Sequence, residues 1–233
     1  MFYLIPFEYG NPTRHTAWTV YTLICINLIV FAITLSSQND TSFYRAWGFI
    51  PAEPHFATLV TSMFVHAGIG HFIGNMFFLW IFGDNIEDVI GIYAFIVVYL
   101  VCGFAADGLH YFLNPESTVP LVGASGAIAG IAGLYFVFFP HARIDLKLYF
   151  YIWHITTFTT TSFVLIGVWL IWQAALGVVT EMADTGMGVA FWAHVGGVVS
   201  GIIFGIILRT LGYLRNYKSG GKRNALVGYI GME

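Results

Sequence analysis

The chain has 233 residues, of which 58% are hydrophobic, 18% aromatic and only 9% charged, with a mean hydropathy of +0.78. A water-soluble domain of this length needs far more charge on its surface, so the composition excludes one and points to an integral membrane protein with room for several helical spans and little else. A net charge of -3 and the lack of a basic, aromatic-interleaved patch give no sign of nucleic-acid binding. Cys25 and Cys102 both fall inside apolar stretches, which argues for lipid-facing or core packing and against a disulfide framework or metal cluster.

The first residues, interrupted by Glu8 and Pro12, lack a small-residue cleavage site and do not read as a cleavable signal peptide. A bilayer core of about 30 Å takes about 20 apolar residues per helix. Six segments qualify: Ala17 to Leu35, Ile69 to Val89, Gly91 to Phe112, Ala124 to Phe139, Thr160 to Val179 and Ala190 to Leu211. Between the first two, Ser36 to Gly68 starts too polar to span and is broken by Pro51 and Pro54. It is expected to be a partly embedded loop with short helices, anchored at the interface by Phe43 and Trp47. Leu148 to Phe158 is aromatic and apolar but short, and is expected to be an interfacial connector rather than a seventh crossing. No repeat is evident, so residues 1–233 read as a single all-α membrane domain. A short N-terminal segment, about 1–16, precedes it, and a short basic tail, about 212–233, follows.

Orientation follows from the positive-inside rule. With both termini in the cytoplasm, Arg14, Arg143, Lys147, Arg209, Arg215, Lys218, Lys222 and Arg223 lie inside and only Arg45 lies outside. The second, fourth and sixth spans then start near the outer surface.

That orientation gives meaning to two residues. Ser125 opens the fourth span in Gly123-Ala124-Ser125-Gly126, and His194 lies in Ala193-His194-Val195-Gly196-Gly197, early in the sixth. At about 1.5 Å rise per residue, His194 is roughly 6 to 8 Å below the outer end of its span, and His71 and Asn75 lie early in the second. Polar side chains in spans usually face the bundle interior or a water-filled cavity. On the fourth span, Ser125, Ala129, Ala132 and Gly133 share a stripe, as do His194, Gly197, Gly201 and Gly205 on the sixth. Stripes of small residues let backbones approach closely, which would bring the serine hydroxyl to the imidazole. A serine hydroxyl is a weak nucleophile that needs an adjacent base. No carboxylate lies at matching depth except Asp107, which sits too near the outer end of the third span, so the pattern is a dyad. The oxyanion of a tetrahedral intermediate could be met by His71 and Asn75, one turn apart, and by the Ser125 backbone N–H at a helix N-terminus. The plainer reading makes the glycines packing residues only, with Ser125 bonded to its own helix and His71 and Asn75 bonding between helices.

These residues resemble the rhomboid family of intramembrane serine proteases. The likeness rests on Gly123-Ala124-Ser125-Gly126, on Ala193-His194-Val195-Gly196-Gly197 with its glycine stripe, and on His66-Ala67-Gly68-Ile69-Gly70-His71-Phe72-Ile73-Gly74-Asn75 leading into Phe82-Gly83-Asp84-Asn85-Ile86-Glu87-Asp88. It covers the chain from the first span to about Gly205. The resemblance implies a six-helix rhomboid-like bundle that cleaves transmembrane helices of substrate proteins near their outer end. Ser125 would be the nucleophile and His194 the base, with His71, Asn75 and the Ser125 amide as the oxyanion site. His66, Gly123, Gly126, Gly197 and Gly201 would be supporting residues, and the substrates would come from the lipid bilayer. Two departures stand out. Ala129 occupies the place where some members stack an aromatic ring on the catalytic histidine, and Arg45-Ala46-Trp47 replaces a Trp-Arg pair in the first external loop. Thr180 to Val189, with Gly186 and Gly188, could cap the site, and the fifth span could act as a lateral gate; an ordinary connecting loop would look the same.

The remaining histidines, His15, His55, His110, His141 and His154, lie at span ends or in loops, with neither zinc-site spacing nor a His-Glu-x-x-His helix. No metal or other cofactor is implied. Two other classes compete: an inactive relative that binds transmembrane clients, which would typically lack the serine or the histidine, and a small transporter, which would place its polar groups at midplane on repeated or broken helices. With no transit segment, the sequence points to a prokaryotic cytoplasmic membrane.

Overall fold

The structure is a computed structural model and describes residues 2–9, 11, 13–37, 40–182 and 189–214. A strand, β1 (Phe2–Tyr9), precedes helix α1 (Trp18–Thr34). Two short helices, α2 (Thr41–Trp47) and α3 (Phe56–Thr61), occupy the first long loop. Then come α4 (Ile69–Ile90), α5 (Ile92–Leu113), α6 (Ser125–Phe138), the hairpin of β2 (Arg143–Phe150) and β3 (Trp153–Thr161), α7 (Ser162–Met182) and α8 (Val189–Thr210).

Each of the six expected spans is a helix whose ends fall within a few residues of those expected. Four of them, α1, α5, α7 and α8, are long and apolar enough to cross a membrane by themselves; α3 with its following turn and α4 form a pair bent by 91° that would count as a fifth. The shortest, α6, has 14 residues. At about 21 Å it falls short of the roughly 30 Å of a bilayer core, so at least one of its ends is recessed. It is also the most enclosed, buried without interruption from Ala127 to Tyr135. A helix apolar all round belongs in such a central position.

Glycines allow the close approach around α6. A Cβ on Gly197 would collide with the Gly126 carbonyl, one on Gly201 with the Gly130 backbone, and one on Gly126 with the Ala106 methyl at the α5 face. The free thiol of Cys102 packs there against Gly130, while Cys25 is exposed.

The segment expected as an interfacial connector instead carries the end of β2 and most of β3, the hairpin between α6 and α7, in an antiparallel sheet ordered β1-β2-β3. Ile144, Leu146 and Leu148 alternate with Asp145 and Lys147, the period-2 pattern of a strand with one covered face. The Thr-rich stretch that follows favours extended backbone. Ile144 is fully buried and Leu146 packs against the core. Pro6 is tolerated because β1 is an edge strand, and Lys147 Nζ lies 4.5 Å from the centre of the Phe7 ring.

At this sheet end the acidic run closing α4 holds the N-terminal part of the chain. No side chain near Ala17 caps α1. Glu87 does so from α4, accepting from Thr19 N at 3.0 Å, Thr19 Oγ1 at 2.9 Å and Val20 N at 2.9 Å, which meets the orphan donors of a helix start. Asp88 accepts from the Arg14 and His15 amides at 2.8 and 3.1 Å. Asn85 donates to Glu8 of β1 at 2.6 Å, and Tyr135 donates to the same carboxyl at 2.5 Å. In the first long loop, Arg45 pairs with Glu53 at 2.8 Å in an exposed contact.

Candidate active site

The site is built where α4, α6 and α8 all begin. Gly123 fixes the entry to α6: its φ of +119° is one that a side chain disfavours, and a Cβ there would lie 2.7 Å from the His71 ring and 3.5 Å from Asn75 Nδ2. The loop before Ser125 therefore runs directly over the two polar residues of α4. Its course is held by the Gly123 amide, which donates to the Ser62 carbonyl at 2.8 Å. Ser125 is the first residue of α6 and is half-buried. Its backbone N–H is among the donors a helix start leaves without an intrahelical acceptor.

His71 accepts from the Ala67 amide through Nδ1 at 3.4 Å. The neutral ring then carries its proton on Nε2, the edge turned to Gly123. Asn75 spends one amide hydrogen on the His71 carbonyl, 3.1 Å away, and keeps a second. His66 is fully buried and packs edge-on to His71 with ring centres 5.2 Å apart, and to Phe72 at 5.6 Å. It supports the His71 ring from behind.

His194, half-buried on α8, reaches the same place because Gly197, one turn on, lets α8 touch α6 at Gly126. Its ring is oriented by residues the sequence reading did not single out. Gln173 Oε1 of α7 lies 2.7 Å from His194 Nδ1. Trp169, one turn earlier on α7, sets its ring 5.6 Å from the imidazole at 36°. Ala129 supplies no ring, and α7 supplies one instead. The available signal was Gln173 itself, a lone amide in an apolar span.

Two cavities meet at Ser125 and His194. The larger, of about 410 Å³, is almost wholly apolar and runs from His71 and Asn75 between α4, α6 and α7 to Leu146 and Pro6 of the sheet. The smaller, of about 90 Å³, shares His71, Ser125 and His194 with it and reaches Met63 and Gly103. Asp107 lines it and is only 6% exposed, and its Oδ2 has no hydrogen-bond partner among the described residues. The sequence placed Asp107 too far out to take part; α5 in fact brings it to this cavity beside Ser125 and His194. A pocket of this size with a carboxyl, a hydroxyl and two imidazoles in its wall has room for a few waters. The expected cap, Thr180 to Val189, lies mostly outside the described residues, as does most of the expected tail. Among the described residues, no group of three or more His, Cys, Asp or Glu is arranged to hold a metal ion.

Comparison with known proteins identifies the family. Residues 53–211 match the Rhomboid domain. The chain is similar to RHOMBOID-like protein 6, mitochondrial, of Arabidopsis thaliana, with 30% identity over 54% of this chain and 53% of that protein. It is also similar to the Presenilin-associated rhomboid-like protein, mitochondrial, of Mus musculus, with 27% identity over 79% of this chain and 47% of that protein. To Rhomboid protease GluP of Bacillus subtilis it shows 26% identity over 54% of this chain and 25% of that protein. The chain thus spans from a quarter to about half the length of these relatives. Two of the names carry an organelle, so the expectation of a prokaryotic cytoplasmic membrane is not supported; the protein is a multi-pass integral membrane protein. With the Rhomboid domain matched over most of its length, the chain belongs to the rhomboid family.

Proposed function

We propose that the protein is an intramembrane serine endopeptidase that cleaves transmembrane helices of other membrane proteins through a Ser125/His194 dyad. The observation that carries this reading is the convergence of Ser125 and His194, from two helices locked together at Gly126 and Gly197, on two cavities, a large one that is almost wholly apolar and a small one with the Asp107 carboxyl in its wall. The large cavity suits a substrate side chain arriving from lipid, and the small one suits water.

The chemistry follows from the donors and acceptors present. His194 takes the Ser125 hydroxyl proton as Oγ attacks the scissile carbonyl carbon. The oxyanion is met by His71 Nε2–H, the second Asn75 amide hydrogen and the Ser125 N–H at the positive end of α6. His194 then gives its proton to the leaving amine, the C–N bond breaks and an acyl ester remains on Oγ. Water, deprotonated by His194, attacks the ester carbonyl; the second intermediate collapses to a carboxylic acid and restores Ser125. The charge distribution along the loops supports an outward-facing site with both termini in the cytoplasm, so that cleavage falls near the outer end of the substrate helix. The wall of the apolar cavity formed by α7 is the natural side for substrate entry, and the whole chain is read as one membrane domain.

The test is cleavage of a transmembrane-helix substrate in proteoliposomes. Ser125→Ala and His194→Ala should each reduce product to background, and Asn75→Ala should lower kcat by about 10²- to 10³-fold, the usual cost of one oxyanion donor. Undiminished cleavage by Ser125→Ala would overturn the mechanism. Binding of the same substrate by the unmutated protein without any cleavage would favour a client-binding role.

A further inference from the structure

His194 sits on α8, but the groups that orient its ring belong to α7. Gln173 and Trp169 are one helical turn apart and therefore share a face. Gln173 is only 8% exposed, its Oε1 lies 2.7 Å from His194 Nδ1, and the Trp169 ring flanks the imidazole at 5.6 Å. An amide oxygen can only accept, so this contact puts the imidazole proton on Nδ1 and leaves the lone pair on Nε2. That lone pair is what a base needs to take the serine proton. In a water-exposed site a carboxylate could hold the histidine and also stabilise its cation. At depth in a membrane an ionised carboxylate is costly, whereas a neutral amide orients the ring without adding charge.

We propose that Gln173 is the positioning residue of the dyad: from α7 it holds His194 in the Nδ1–H tautomer, with Trp169 fixing the plane of the ring. The inference rests on the reading of Ser125 and His194 as nucleophile and base. It also ties the base to the cavity wall. Leu165, Ile166 and Trp169 of the same helix line the large cavity, so a displacement of α7 away from α8 separates Gln173 from His194. Catalytic competence thus depends on α7 being seated, and opening that wall disarms the base.

The experiment uses the full-length protein, with 15N-labelled histidine and a transmembrane-helix substrate in proteoliposomes. In the unmutated protein, the His194 resonances, assigned by their loss in His194→Ala, should report the Nδ1–H tautomer. In Gln173→Leu that signature should give way to a tautomer mixture. The same variant should lose kcat about 10- to 100-fold, as when the partner of a functional histidine is removed, with KM changed by less than about two-fold. Gln173→Glu, held protonated by the cost of charge at this depth, still offers a carbonyl oxygen as acceptor and should recover most of the lost kcat. An Nε2–H tautomer in the unmutated protein would overturn the proposal without any variant being needed. So would native kcat in Gln173→Leu, or a loss of activity that Gln173→Glu does not relieve. The tautomer measurement needs no activity. If Ser125→Ala still cleaves, the dyad reading fails, and the spectrum still decides whether Gln173 sets the tautomer.

Discussion

At the scale of single residues, Gly123 is the glycine that bears most directly on the candidate site. It combines a positive φ with a close approach to His71 and Asn75, so a methyl group there strains the backbone and pushes the His71 ring aside. Such strain costs roughly 1–3 kcal/mol, and a displacement of about 1 Å in a positioning group can cost about 10²-fold in rate. Gly123→Ala is therefore predicted to fold, to bind substrate with little change in KM and to lose about two orders of magnitude in kcat; native kcat would show that the contact does not hold the site. Ser125, His194, His71 and Asn75 were visible in the sequence because a polar side chain in an apolar span is conspicuous and helix rise fixes its depth. Gln173 was as conspicuous but stood alone on its helix. Its role depends on a contact 21 residues along the chain between α7 and α8, which depth alone does not reveal. Asp107 was set aside because it lies near the outer end of its span; the whole site lies near that end, and α5 brings Asp107 to the smaller cavity beside Ser125 and His194.

Between elements, the contact of α6 with α8 carries the candidate site, because it sets the distance between Ser125 and His194, the proposed nucleophile and base. A Cβ on Gly201 would strike the Gly130 backbone, which cannot move aside as a flexible side chain could. Gly201→Val is predicted to part the helices and to destabilise the protein by about 1–3 kcal/mol, a fall of several degrees in Tm for a chain of this size. Activity should drop further than stability, and an unchanged Tm would argue against tight packing along this stripe. The stripe was legible because small residues at i, i+4 and i+7 have a direct physical meaning in membranes. The sheet was not, because β1 pairs with β2 across more than 130 residues of chain, and short strands carry weak signals. The strict alternation from Ile144 to Leu148 was nevertheless there to be read. The docking of β1 has its own pH signature. Burial raises the Glu8 carboxyl above its usual 4.5, with Asp84 adding to the rise and hydrogen bonds from Tyr135, Asn11 and Asn85 opposing it. A carboxyl with a raised folded pKa favours the docked state most below its unfolded pKa, and that contribution is lost as pH rises through the folded value. Hydrogen exchange of the β1 amides, corrected for intrinsic rates, should therefore slow as pH is lowered from neutral toward the usual carboxyl value of 4.5. Protection that weakens over this range would contradict the assignment.

Over the whole molecule, the two ends of the bundle do different work. The sheet end is fastened by charge: Glu87 caps α1, Asp88 holds the chain before it and Glu8 ties β1 to Tyr135 and Asn85. The Ser125 end is held by glycine contacts and by neutral hydrogen bonds from α7. Polar groups gather there where the two cavities meet. Six helices near their expected bounds follow from composition and span length alone, the shortness of α6 included; the bend of 91° before α4 is a tertiary feature with no local signal. The central claim is that Ser125 is a nucleophile activated by His194, and it is tested most directly by labelling the protein in membranes with a fluorophosphonate probe and locating the adduct by mass spectrometry. The account predicts a single adduct on Ser125 that is absent in Ser125→Ala and lost or greatly slowed in His194→Ala; an adduct on another residue, or undiminished labelling in His194→Ala, would contradict it.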